Sequence, residues 1–302
     1  MPTITIFGAT GKQGKSVLNS VLADGAYTPR AVTRNPDSDS SKAIKDKGVE
    51  VVRGDLFDLN SVREAIRGSE VVFGVTNFWD PSVFPGTEHG IGEVQQGKNL
   101  VDAAKAEGVK FFIWSGLPSS KLLSNGKYPG VYHIDHKATV WDYLKASGVP
   151  CAAVDTGYFA DNLWEFALQK NDNGYSLVVP KYNPNSTQTF TWTRDIGPCA
   201  VALLKNYTDS SKGVLGKAFP VVTSIMNFTE VAQKISAAIG KEVKLVTPET
   251  SGLDELDEMY KYQADCGMYK DIPVPNPDLV ALGATFSTMD DLIAAEIVPR
   301  YA

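Results

Sequence analysis

Cysteine is scarce in this chain of 302 residues: Cys151, Cys199 and Cys266 stand alone, without CxxC spacing. An odd number of dispersed thiols excludes a disulfide framework and suits a reducing compartment, and each is expected to be a buried structural thiol. Histidine is equally sparse. His89, His133 and His136 form no HExxH or comparable ligand set, so no metal site is expected. No apolar run approaches the roughly 20 residues that cross a bilayer, which excludes a membrane partner. The formal charge is −6 and no basic cluster interrupts it, so direct nucleic-acid binding is not expected. A strand pattern that begins by residue 3 leaves no room for a secretory leader, and the expected location is inside the cell, cytoplasmic or nuclear.

What the chain does have is alternation. Short apolar, β-rich runs fall at 3–7, 30–33, 49–52, 71–75, 111–114 and 151–154. Helical patterns lie between them at 16–23, 41–46, 61–67, 92–107 and 134–147, and Gly25, Gly48, Gly68, Gly108 and Gly148 sit where helices stop in a left-handed cap. Strand and helix in turn predict an α/β Rossmann-type, doubly wound parallel sheet over 1–155. After 155 the alternation loosens and prolines multiply. Residues 156–302 are expected to form a smaller C-terminal α+β lobe, some segments returning to the sheet. Its expected helices are 160–169, 195–206, 228–239 and 253–262, its strands 188–192, 217–222 and 242–246.

The most informative stretch is Gly8 to Gly14, GATGKQG, a GxxGxxG loop between the first strand and the first helix. Glycine there permits a sharp turn, a close approach to a pyrophosphate, and helix N–H groups aimed at the phosphates. A glycine triplet alone is a weak signal, but its strand and helix supply the context for a dinucleotide. At the end of the second strand, Arg34 can fork onto a 2′-phosphate, which favours NADP(H); the alternative is a surface arginine that merely ends a strand. Asp55 and Leu56 follow the third strand, where they either contact adenine or simply form a Gly-Asp turn. Asn77 and Phe78 follow the fourth, close to the expected ribose and nicotinamide. Ser115 ends the fifth strand.

His133 and Lys137 open the helix before the sixth strand and share one face at i, i+4. That spacing is the YxxxK of short-chain dehydrogenases with histidine in the tyrosine slot. Tyr132 is one residue, roughly 100°, around the helix and cannot take its place. Histidine can act as an acid near neutral pH, or be a helix-start residue with no chemical duty. Lys137 is a candidate cofactor ligand either way.

GATGKQG, Ala31 to Pro36, Val75 to Trp79, Glu93 to Lys98, Ser115 to Leu117, the HxDxK run and Tyr158 to Leu163 together resemble the NmrA-like family of atypical short-chain dehydrogenases, in particular its HSCARG-type NADPH sensor branch. The resemblance spans nearly the whole chain. It implies NADP contacts from Gly8, Ala9, Thr10, Gly11, Lys12, Gln13, Arg34, Asn77, Phe78, Lys137, Tyr158 and Phe159. Gln95 falls where a related sensor carries lysine. The resemblance also implies two kinds of function. One is a redox sensor that presents different surfaces to a regulatory protein partner. The other is an NADPH-dependent reductase of a small carbonyl, imine or quinone, using Lys137 and His133 in a pocket walled by Phe78, Trp79, Tyr158 and Trp192.

Overall fold

The computed structural model describes residues 1–184 and 186–302. Its first half runs β1 (Thr3–Ile6), α1 (Lys12–Asp24), β2 (Thr28–Thr33), α2 (Asp39–Lys45), β3 (Glu50–Arg53), α3 (Leu59–Ile66), β4 (Val71–Gly74), α4 (Gly92–Ala106), β5 (Phe111–Gly116), α5 (Ser120–Leu123), α6 (Tyr132–Ser147) and β6 (Cys151–Thr156). The second half follows with β7 (Tyr158–Phe159), β8 (Leu168–Asn171), β9 (Gly174–Val178), β10 (Gln188–Thr191), α7 (Ile196–Asn206), β11 (Ala218–Val221), β12 (Ser224–Met226), α8 (Phe228–Ile239), β13 (Glu242–Val246) and α9 (Asp254–Asp265), then three short helices.

Seven strands form one sheet in the order β11-β6-β5-β4-β1-β2-β3, every neighbouring pair parallel. The expected Rossmann-type sheet is therefore present. Its strands bury both faces by simple alternation. Phe111 and Ile113 enter the layer beneath α1 and α7, with Leu18, Val21 and Leu203; Phe112 and Trp114 enter the layer beneath α3, α4 and α6, with Leu100, Val140 and Leu144. The helices end as the glycine spacing requires: Gly25 caps α1 at φ 73° and Gly148 caps α6 at φ 81°. The chain runs from β1 out to β2 and β3, then returns past β1 to β4. That reversal leaves a crevice at the carboxyl ends of β1 and β4.

The C-terminal lobe holds two small sheets, β12-β10-β7 and β13-β9-β8, around a core of Tyr158, Leu177, Phe190, Phe228, Ile235 and Leu292. Two expectations need correction here. Residues 160–169 are not one helix: a wide turn at Leu163–Ala167 gives way to β8, which forms a hairpin with β9. The strand expected at 217–222 is β11, a segment of the second half that returns to the large sheet beside β6. Of the three thiols, Cys151 and Cys199 are buried as expected, but Cys266 is only half-buried. No described helix is long and apolar enough to cross a membrane.

Candidate functional site

A cleft of about 580 Å³ opens at the reversal point, lined by the glycine loop, the ends of β2, β3 and β4, Gln96 and Phe159. Gly8 turns at φ 64°, and a Cβ there would stand 2.7 Å from Val75 Cγ1. A Cβ on Gly14 would stand 2.3 Å from the Gly8 carbonyl oxygen, so α1 starts against the loop only because no side chain intervenes. Gly11 caps α1 without a side-chain hydrogen bond, and no acidic residue occupies the first turn. The first N–H groups and the positive end of a helix 13 residues long are thus left for an anion at the cleft. A cradle that only glycine fits, ending in a helix start with no side-chain cap among the described residues, suits a dinucleotide pyrophosphate.

Two cations line this cleft, and each already faces a carboxylate. Lys12 pairs with Glu165 from the C-terminal lobe. Arg34 Nη2 lies 2.6 Å from Asp80 Oδ2. Asp80 is fixed from its other side, where Oδ1 accepts from Ser82 N at 3.0 Å and Ser82 Oγ at 2.6 Å. Burial pushes the Asp80 carboxyl up, but the hydrogen bonds from Ser82 and Arg34 outweigh it and hold the group below its ordinary value.

Of the expected cofactor contacts, Gly8, Thr10, Gly11, Lys12, Gln13, Arg34, Asp55, Leu56, Asn77 and Phe159 are brought together on the wall of this cleft. Asp55 also forms the turn, its Oδ1 accepting from Phe57 N at 3.0 Å. Ala9, Phe78, Lys137 and Tyr158 are not on the wall. Ala9 faces the core under α1. Tyr158 points into the lobe against Phe190 and Phe228, because β7 alternates and gives the cleft to Phe159. Burial drives the Tyr158 hydroxyl well above its ordinary pKa. Phe78 is buried in an aromatic cluster with Trp79, Phe84, His133 and His136. Trp192 is buried as well, which leaves Trp79 as the exposed member of the expected pocket wall.

Lys137 stands behind the cleft. Its Nζ donates to Thr76 O at 3.1 Å, Thr76 Oγ1 at 3.0 Å and Glu93 Oε1 at 2.9 Å, which uses all three ammonium protons. Glu93 is fully buried on α4. His133 is tied to the other lobe: its Nδ1 lies 2.5 Å from Glu255 Oε1, which also accepts its backbone N–H at 2.8 Å. Nε2 makes no hydrogen bond among the described residues, and the ring packs on Phe78 and Trp79 at 5.8 and 5.4 Å. Ser115 is buried and donates to Gln13 Oε1 at 2.5 Å, so it sets the glycine loop rather than facing the cleft. No group of three or more His, Cys, Asp or Glu among the described residues is placed to hold a metal.

The model of the NmrA-like family matches residues 1–290. The chain belongs to the NmrA-like family. It is similar to the NmrA-like family domain-containing oxidoreductase notA of Aspergillus sp. (strain MF297-2), 28% identical over 265 residues that cover 81% of this chain and 75% of that protein. Among solved structures, NmrA, a negative transcriptional regulator, in complex with NADP superposes with a TM-score of 0.77 at 19% identity, covering 99% of this chain and 96% of that one. The NADPH-dependent quinone oxidoreductase QOR2 of Escherichia coli, complexed with NADPH, superposes at 0.74 with 20% identity, covering 97% of this chain and 99% of that one.

Sequence reasoning missed several residues of this NmrA-like site. Gln96, not Gln95, lines the cleft; Gln95 turns away to donate to Asn99 Oδ1 at 2.9 Å. The helical spacing of α4 was a signal for this, since Gln96 shares a face with Glu93 and Leu100. Asp80 follows directly after Trp79, but nothing local marks it as the partner of Arg34. Glu255 has no sequence signal at all.

Proposed function

We propose that this NmrA-like protein binds NADP(H) in the cleft and works as a dinucleotide-responsive regulator that acts through a protein partner. The helix N-terminus and glycine loop would hold the pyrophosphate, Arg34 the 2′-phosphate, and Asp55 and Leu56 the adenine; Asn77 and Phe159 line the rest. A bound nicotinamide supplies or accepts a hydride. What favours a regulator is the state of the two groups a dehydrogenase would use. All three protons of Lys137 are spent on Thr76 and Glu93, and the tyrosine slot holds a histidine tied to Glu255. That is the single observation on which the reading rests. The regulatory relative NmrA, whose structures hold NAD or NADP, agrees with it.

A second reading has one specific observation behind it. His133 is oriented by a carboxylate, has no hydrogen bond at Nε2 among the described residues and sits beside exposed Trp79, an arrangement that suits a proton donor to a small substrate. Relatives named oxidoreductases point the same way. A single assay separates the two: NADPH is mixed with purified protein and a panel of ketones, imines and quinones. The regulator reading expects binding without turnover. Consumption of NADPH at ordinary enzyme rates, about 1 s⁻¹ or faster, would overturn it.

A further inference from the structure

We propose that Asp80 sets the choice of dinucleotide by competing with the 2′-phosphate of NADP for the guanidinium of Arg34. The inference rests on the dinucleotide reading of the cleft and goes beyond it to a residue that the usual selection rule does not include. That rule places one residue at the end of the second strand: an acid for the ribose hydroxyls of NAD, or an arginine for the phosphate of NADP. This chain carries both halves. Arginine stands at the end of β2 and the acid arrives from the segment after β4, with both on the wall of the same cleft.

The two partners differ in how firmly they are held. The Arg34 side chain is 64% exposed, whereas that of Asp80 is 12% exposed. Asp80 is pinned at Oδ1 by Ser82, and its carbonyl accepts from Val83 N at 2.8 Å and Phe84 N at 2.9 Å. The carboxylate is therefore the fixed element and the guanidinium the movable one. A 2′-phosphate that recruits Arg34 must take it from Asp80 and then sit beside an uncompensated carboxylate. The other cation of the cleft, Lys12, is paired with Glu165 and offers no relief. A 2′-hydroxyl carries no charge, can donate to Asp80, and leaves the Arg34 pair intact. Discrimination is thus a contest between two anions for one fork, and Asp80 holds the preference for NADP below what Arg34 alone would give.

Isothermal titration of NADP and NAD into the wild type, Asp80→Asn, Asp80→Ser and Arg34→Ala tests this at a single salt concentration. The serine variant keeps a small polar group should the amide disturb the loop. The ratio of the NAD to the NADP dissociation constant should rise about tenfold in either Asp80 variant, a change of about 1.4 kcal/mol, and fall by at least that factor in Arg34→Ala. An unchanged ratio in folded Asp80 variants, or equal weakening of both dinucleotides, would overturn the proposal and leave the dinucleotide reading standing. A wild type that binds neither dinucleotide would overturn both.

Discussion

Asp155 shows how a single residue can govern the response to pH. It sits at the end of β6, nearly buried, with no hydrogen bond to its carboxyl among the described residues. Burial pushes its pKa from 3.8 up to about 7, against a smaller opposing pull from Lys145. Between those values the folded chain holds a proton that the unfolded chain has released, so stability falls as pH rises across that window and is flat above it. Asp155→Asn removes this dependence. In thermal unfolding, the variant should gain on the wild type from about pH 4 to about pH 7 and hold the gain above that; a constant difference at all pH values would rule out the buried acid as its cause. At this scale the sequence spoke only where chemistry is local. Gly8, Gly14 and Arg34 were legible because a turn, a helix start and a strand end lie within a few residues of them. Asp80 was not, since its partner lies 46 residues away, nor was Glu255, which meets His133 across 122.

Among the elements, α6 is one that joins both lobes. It opens at Tyr132 without a side-chain cap of its own. The acceptors come from α9 instead: Glu255 takes the His133 N–H and ring Nδ1–H, and Glu258 takes the Gly130 N–H at 2.8 Å. A helix start capped by carboxylates from another helix joins cap, macrodipole and lobe contact in one place. Glu255→Ala leaves a backbone N–H and a ring nitrogen without their partner, and should cost about 1–3 kcal/mol in chemical denaturation. Glu255→Gln keeps an acceptor oxygen and should cost less than half as much. Equal losses would show that packing, not the hydrogen bonds, sets the cost. The elements of the first half were legible because apolar period, β-rich runs and terminal glycines agreed. The 160–169 stretch failed because its apolar residues fit a helix on paper, while the Asp172-Asn173 turn that follows belongs to the β8–β9 hairpin.

Over the whole molecule, the large sheet and the lobe are interleaved rather than strung in sequence. β11 closes the sheet beside β6, and Leu279, Leu282 and Ala284 complete the core beneath α1 and α7. The Rossmann half was legible because parallel crossovers repeat a local pattern. The lobe was less so, because its small sheets join strands far apart in sequence, such as β9 with β13. What the interleaving achieves is a cleft to which both halves contribute, with Glu165 paired to Lys12 and Phe159 on the wall beside the glycine loop residues.

The central claim is that this cleft is a dinucleotide cradle built on the close approach of Gly14 to Gly8. Calorimetric titration of NADPH into the wild type and Gly14→Ala, both checked for native circular dichroism, tests it most directly. The account predicts a single saturable site in the wild type and a loss of at least tenfold in affinity in the folded variant, about 1.4 kcal/mol or more. No binding by the wild type, or equal binding by both proteins, would contradict it.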